Sequence, residues 1–221
     1  MSKKHVEVPV PREVIDSAKV EIEPYLDKIG SRATGFNGSD NQKIIGWIGE
    51  KITGQYLGFT ADEYTGFNLN GTADRGDFIR DGQTFDVKAS FCPEYKEKGT
   101  VPDYWGVLIP ESQWQLRQHD YYIRCAVDSD DPEHITKLCF VGVCVKKAAA
   151  EFSEVEHLKC WQPIEQTVLM RIVPERYTFD IDLLKKDLEQ KQKEATEHGQ
   201  EQHIHPDGDE RRVGQYPDGP E

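Results

Sequence analysis

Residues 76–90 read GDFIRDGQTFDVKAS, and their pattern decides the fold. Asp81-Gly82 stands between two alternating segments, GDFIR and QTFDVKAS, which is a strong short-range signal for a two-residue β-hairpin. A turn on those residues pairs Arg80 with Gln83 and Phe78 with Phe85, and sets Asp77 directly opposite Asp86. Period-two alternation puts Asp86, Lys88 and Ser90 on one face of the second strand and Phe85, Val87 and Ala89 on the other. One face is ionic and the other is core.

Carboxylates opposed in this way, with Cβ atoms about 4.5–5.5 Å apart, repel each other unless a cation sits between them or one is protonated. A divalent metal resolves the conflict. Hard oxygen ligands suit magnesium, with manganese able to substitute; magnesium keeps several waters and takes one or two protein carboxylates. Lys88, on the same face as Asp86, would help activate a water or offset charge on a transferring phosphate. Without metal, replacing Asp77 or Asp86 by asparagine should then raise the melting temperature. The alternative is a surface hairpin whose Asp86 and Lys88 are solvated neighbours.

Upstream, Ser39 and Gln42 have the form of a capping box, so a helix is expected over residues 40–57. Ile44, Ile45, Ile48, Ile52 and Tyr56 fall within an arc of roughly 120° and form its core stripe. Glu50 lies near the opposite side, one turn from Gly46 and Gly54. Glycines inside a helix, Gly49 included, cost about 0.5–1 kcal/mol each relative to alanine. Two explanations stay open, close packing on a sheet or a groove opened around Glu50. Farther upstream, Val14, Ile15, Ala18, Ile22 and Leu26 have helical spacing over residues 12–29, broken by Pro24 and stopped by Gly30, with a loop over 31–39.

Downstream, strands are expected at 104–109, 121–127, 138–145 and 167–173, and KKAAAEF (146–152) starts a short helix. The order of elements is mixed α/β, a central mixed sheet flanked by helices. From Leu183 the chain passes into a charged helix and then, over residues 197–221, into a polar segment expected to be disordered. His198, His203 and His205 in that tail have no fixed ligand geometry. The expected organisation is an N-terminal helix and loop over 1–38, a catalytic core over 39–183, and helix and tail over 184–221.

The chain has 221 residues and a net charge of -13, which speaks against coating nucleic acid through a general positive field and favours specific or metal-assisted binding. Neither an eighteen-residue apolar run nor a signal-peptide stretch in MSKKHVEVPVPRE is present, so a soluble, cytoplasmic protein is expected. The five cysteines form no C-x-x-C pair, and Cys125, Cys139 and Cys144 lie in apolar runs, as buried free thiols do.

Taken together, Glu50 in GWIGEKITGQYLG, Asp77 in RGDFIRDG and Asp86-Val87-Lys88 in TFDVKAS resemble the PD-(D/E)xK nuclease superfamily, or restriction-endonuclease-like fold. The resemblance spans roughly residues 39–147, because HDYYIRCAVD and KLCFVGVCVKKAAAEF look like the strands and crossover that follow the lysine. It implies magnesium-assisted hydrolysis of phosphodiester bonds in DNA, by an endonuclease for which a homodimer would be natural if both strands are cut. Asp77 and Asp86 would ligate the metal with the Val87 carbonyl, Lys88 would position or deprotonate the attacking water, and Glu50 would complete the site directly or through a water.

Gly76 stands where the pattern has proline. A Gln-x-x-x-Tyr helix seen in some exonuclease-like members can be written at Gln118 and Tyr122, but 121–127 reads as a strand. Lys43, Lys51, Arg75, Arg80, Lys96 and Lys98 are candidates for phosphate contacts. In FCPEYKEKGTVPDYW (91–105), Tyr95 and Trp105 are available for stacking on a base, with core packing as the alternative. Two other readings are a non-catalytic nucleic-acid-binding or assembly module of the same fold, and a magnesium enzyme for a small phosphate compound, which usually carries a glycine-rich loop absent here.

Overall fold

The Asp81-Gly82 turn closes as the sequence dictates. In the computed structural model both residues have positive φ, 51° and 75°, the geometry of a type I′ turn whose twist matches that of paired strands. The structure describes residues 5–26, 39–65, 76–102, 105–160 and 166–201. In chain order the strands and helices are β1 (Val6–Pro9), α1 (Arg12–Ile22), α2 (Asp40–Leu57), β2 (Phe78–Arg80), β3 (Gln83–Phe91), α3 (Pro93–Lys98), β4 (Val107–Pro110), α4 (Glu111–Leu116), β5 (Tyr121–Val127), β6 (Lys137–Val145), α5 (Lys146–Phe152), β7 (Glu154–Cys160), β8 (Gln166–Val173) and α6 (Ile181–Glu201).

The main sheet has five strands in the order β1-β6-β5-β3-β2 and is mixed. β3 and β5 are parallel, while β1–β6, β5–β6 and β2–β3 are antiparallel. Parallel neighbours need a long crossover. It is supplied by α3, β4 and α4, so this segment is carried across the sheet next to β3. A second, antiparallel sheet has the order β4-β8-β7.

The capping box forms, with the Gln42 backbone N–H donating to Ser39 Oγ and the Ser39 N–H to the Gln42 side chain. Ile44, Ile45, Ile48 and Ile52 are buried, and Tyr56 at the end of the stripe is half-buried against Phe140. A Cβ on Gly49 would lie 2.3 Å from the Ala89 Cβ, and one on Gly54 would lie 3.0 Å from the Phe78 ring, whereas one on Gly46 meets nothing within 4 Å. Close packing therefore accounts for Gly49 and Gly54. It also fixes α2 on the Val87/Ala89 face of β3. On α1, Val14, Ile15, Ala18 and Ile22 are buried, and the helix gives way at Pro24 to a short 3₁₀ turn, Glu23–Tyr25.

Strands β5, β6 and β8 and helix α5 stand within a residue of their expected positions. β4 begins later than expected, at Val107, with residues 103–104 outside the described set. β1, β7, α3 and α4 were not anticipated. α6 runs to Glu201, past the expected onset of disorder at 197. Residues 202–221, like Gly30, the 31–38 loop, Arg75, His203 and His205, lie outside the described residues, as does the side chain of His198. Residues 1–186 form one compact unit and 187–221 a second, whose described part is helical. Cys92, Cys125, Cys139 and Cys144 are buried free thiols. Among the described residues no helix is long and apolar enough to cross a membrane.

Candidate active site

The observed ladder pairs Phe78 with Phe85, Ile79 with Thr84 and Arg80 with Gln83, the register set by the turn, and it ends there. Asp77 does not continue it as the directly opposed partner of Asp86. Its N–H is drawn to the Phe85 carbonyl (2.7 Å), while its carbonyl accepts from Thr65 N–H on the far side (3.0 Å). Gly76, at φ 85°, allows this departure, and a Cβ there would come within 3.0 Å of both the Phe85 carbonyl and His119. The physical reason is the loss of a strand neighbour: once β2 has ended, the Val87 N–H on that edge of β3 needs a partner. Asp77 Oδ2 supplies it at 2.6 Å, a charge-assisted bond. The Val87 carbonyl shares this edge, because N–H and C=O of one strand residue point the same way.

Asp86 projects from the opposite face to α2, as alternation requires. It is 1% exposed. Its Oδ1 accepts from Lys88 Nζ at 2.8 Å and from Gln113 Nε2 at 3.3 Å, whereas its buried Oδ2 has no hydrogen-bond partner among the described residues. An ionised oxygen out of water without a donor is costly, so this orphan marks a place where a cation or a donor belongs. Tyr122, the neighbour of Asp86 on β5, has its hydroxyl pKa raised, mainly by burial and further by the Asp86 charge.

Glu50 lies on α2, on the other side of β3. Its Oε2 accepts from the Tyr64 hydroxyl at 2.9 Å. The Tyr64 pKa is raised, first by burial, then by the charge of Glu50, with smaller contributions from Asp77 and Glu21. The four residues of the sequence motif thus form two groups, Glu50–Tyr64–Asp77 at the free edge of β3 and Asp86–Lys88–Gln113 on its face. The Asp77–Val87 bond joins them. Among the described residues, no group of three or more His, Cys, Asp and Glu side chains is gathered closely enough to hold a metal ion.

The candidate phosphate contacts separate on inspection. Arg80 is buried, bonded to Glu63 (2.8 Å) and the Gly58 carbonyl (2.6 Å), and stacked on Phe59, so its donors are taken up within the fold. Lys43 binds the Leu26 carbonyl and Asp40, and Lys51 pairs with Glu21 at 2.8 Å. Lys96 lies over Phe91, Lys98 ends α3, and Arg75 is outside the described residues. Tyr95 is core, bonded to Glu7 at 2.6 Å; Trp105 is half-buried and covers Arg124. Tyr122 lies on a strand, so the Gln118/Tyr122 alternative has no helix to stand on.

Sequence reasoning missed Gln113 and Arg124. Gln113 had no usable signal, because a six-residue helix folded over from 27 residues away brings it to Asp86. Arg124 had one, a lone charge inside the apolar strand YYIRCAV. No family model matches the chain, and no curated protein or solved structure gives a significant match.

Proposed function

We propose that this chain is a magnesium-dependent nuclease of the PD-(D/E)xK type, hydrolysing phosphodiester bonds in DNA as an endonuclease on a restriction-endonuclease-like fold. The observation that carries the reading is Asp86, whose buried Oδ2 has no donor among the described residues while Oδ1 is held by Lys88 and Gln113. Asp86 and Asp77, with the Val87 carbonyl, would hold the ion, and Glu50 would reach it through a water. Magnesium bound there supplies Lewis acidity to a phosphoryl oxygen and a lowered pKa to water. Lys88, fixed by Asp86, holds the attacking water and offsets charge on the phosphate. Gln113 fixes the Asp86 carboxylate rotamer, and Tyr64 fixes Glu50. Cytoplasmic placement and a homodimer belong to the same proposal.

A second reading, a non-catalytic nucleic-acid-binding module, draws on the separation of Glu50 from Asp86 across β3. One panel separates the two: plasmid, linear duplex, branched and single-stranded substrates incubated with magnesium, manganese or EDTA. Cleavage that needs the metal supports the nuclease. Binding without cleavage in every metal condition supports the module.

A further inference from the structure

Arg124 is the feature that the catalytic reading leaves unexplained. Arg80 and Arg171, the other well-buried arginines, are each held by a carboxylate, Glu63 and Glu111. Arg124 is 5% exposed, and among the described residues no carboxylate pairs with it. Its guanidinium donates to the Lys88 carbonyl (3.2 Å) and Ser90 Oγ (2.7 Å), lies 4.5 Å from the centre of the Trp105 ring, and leaves Nε without a partner. Burial lowers its pKa to about 10, so it keeps its charge at neutral pH. A buried cation held only by neutral groups is expensive to maintain.

Its neighbours show what the charge can serve. Arg124 pairs with Lys88 across the β3–β5 ladder, so Asp86, Lys88, Ser90 and Arg124 share one sheet face, where on these two strands two cations stand beside one carboxylate. Ser90 Oγ accepts from Arg124, which spends a lone pair and leaves the hydroxyl proton to be donated. Among the described residues no acceptor takes that proton. Lys88 and Ser90 are both partly exposed, Ser90 in contact with the guanidinium and Lys88 held by Asp86. The arrangement is a donor and an ammonium over a buried positive floor, the chemistry of an oxyanion site.

We propose that Lys88, Ser90 and Arg124 form a phosphate subsite: Ser90 O–H and Lys88 Nζ contact one phosphate group, and Arg124 acts beneath as a positioning residue that orients the Ser90 hydroxyl and supplies fixed charge. Under the nuclease reading on which this rests, the group is a phosphodiester of the substrate strand. A purely structural Arg124, tying β3 to β5, predicts no anion affinity.

The test is titration calorimetry in EDTA with inorganic phosphate, then with a short DNA and a short RNA oligonucleotide as competitors, on wild type, Ser90→Ala and Arg124→Lys. The last keeps the charge but loses the two-pronged hold. Wild type should bind phosphate saturably, with Ser90→Ala and Arg124→Lys each weaker by about tenfold. Ser90→Ala leaves the buried guanidinium in place, so it remains informative if Arg124→Lys unfolds. No saturable binding by wild type, or equal binding by a folded Ser90→Ala, overturns the subsite. Phosphate binding that neither oligonucleotide displaces, in EDTA or when the competition is repeated with magnesium, upholds the subsite and refutes the nuclease reading instead.

Discussion

Replacing Asp86 by asparagine separates a repulsive acid pair from the compensated carboxylate that the structure contains. Repulsion between opposed acids predicts a gain in stability on neutralisation. The structure predicts a loss. Asp86 is buried beside Lys88, and removing one partner of a fully buried ion pair costs roughly 3–5 kcal/mol because the other charge is stranded. Here the Lys88 side chain is 22% exposed and can turn to water, and the asparagine oxygen can still accept at the Oδ1 position. The cost falls to about 1–3 kcal/mol. At about 2–4 °C per kcal/mol for a protein of this size, the melting temperature in EDTA should drop by about 2–12 °C.

Magnesium adds a second reading of the same experiment. Bound as proposed, the ion at ten times its Kd should stabilise wild type by about 1.4 kcal/mol and Asp86→Asn far less. Thermal melts of both proteins in EDTA and over a magnesium series give all four values. An asparagine variant that melts above wild type in EDTA refutes the compensation argued from Lys88 and Gln113. One that gains as much as wild type from magnesium removes Asp86 from the metal site.

Gly49→Ala and Gly46→Ala should shift stability in opposite directions when compared by urea unfolding. The first forces its Cβ to within 2.3 Å of Ala89 and costs about 1–3 kcal/mol, while the second meets nothing and gains about 0.5–1 kcal/mol from helix propensity. The Glu63 pKa is lowered from 4.5, chiefly by its bond to Arg80, so its contribution is present above the unfolded value and lost as pH falls through the folded one. Glu63→Gln should therefore flatten the fall in stability below about pH 4.5, measured as melting temperature against pH; an unchanged slope refutes the pair. Removing residues 202–221, which offer little apolar surface to bury, should leave the melting temperature and any cleavage unchanged.

Features set by neighbouring residues were legible in the sequence. The Ser39–Gln42 box, the isoleucine stripe and the Asp81-Gly82 turn each depend on a few adjacent positions, and each formed as read. β1 escaped notice because four residues hemmed by Pro9 and Pro11 gain their strand character only by pairing with β6, more than a hundred residues away. β7 carries charge at Glu154, Glu156 and Lys159, and α3 and α4 are too short to display a helical period. At the site, alternation correctly put Asp86 and Lys88 on one face. It could not foresee that β2 begins only at Phe78, so that Asp77 turns to cap Val87 and leaves direct opposition to Asp86.

The central claim rests on Asp86 and Lys88 acting together in metal-dependent hydrolysis. Its most direct test is plasmid cleavage measured side by side for wild type, Lys88→Ala and Asp86→Ala in magnesium and in EDTA, with circular dichroism confirming that each protein is folded. Wild type should cut in magnesium and not in EDTA, and each variant should be slower by at least about a hundredfold. Folded variants that cut at the wild-type rate contradict the assignment.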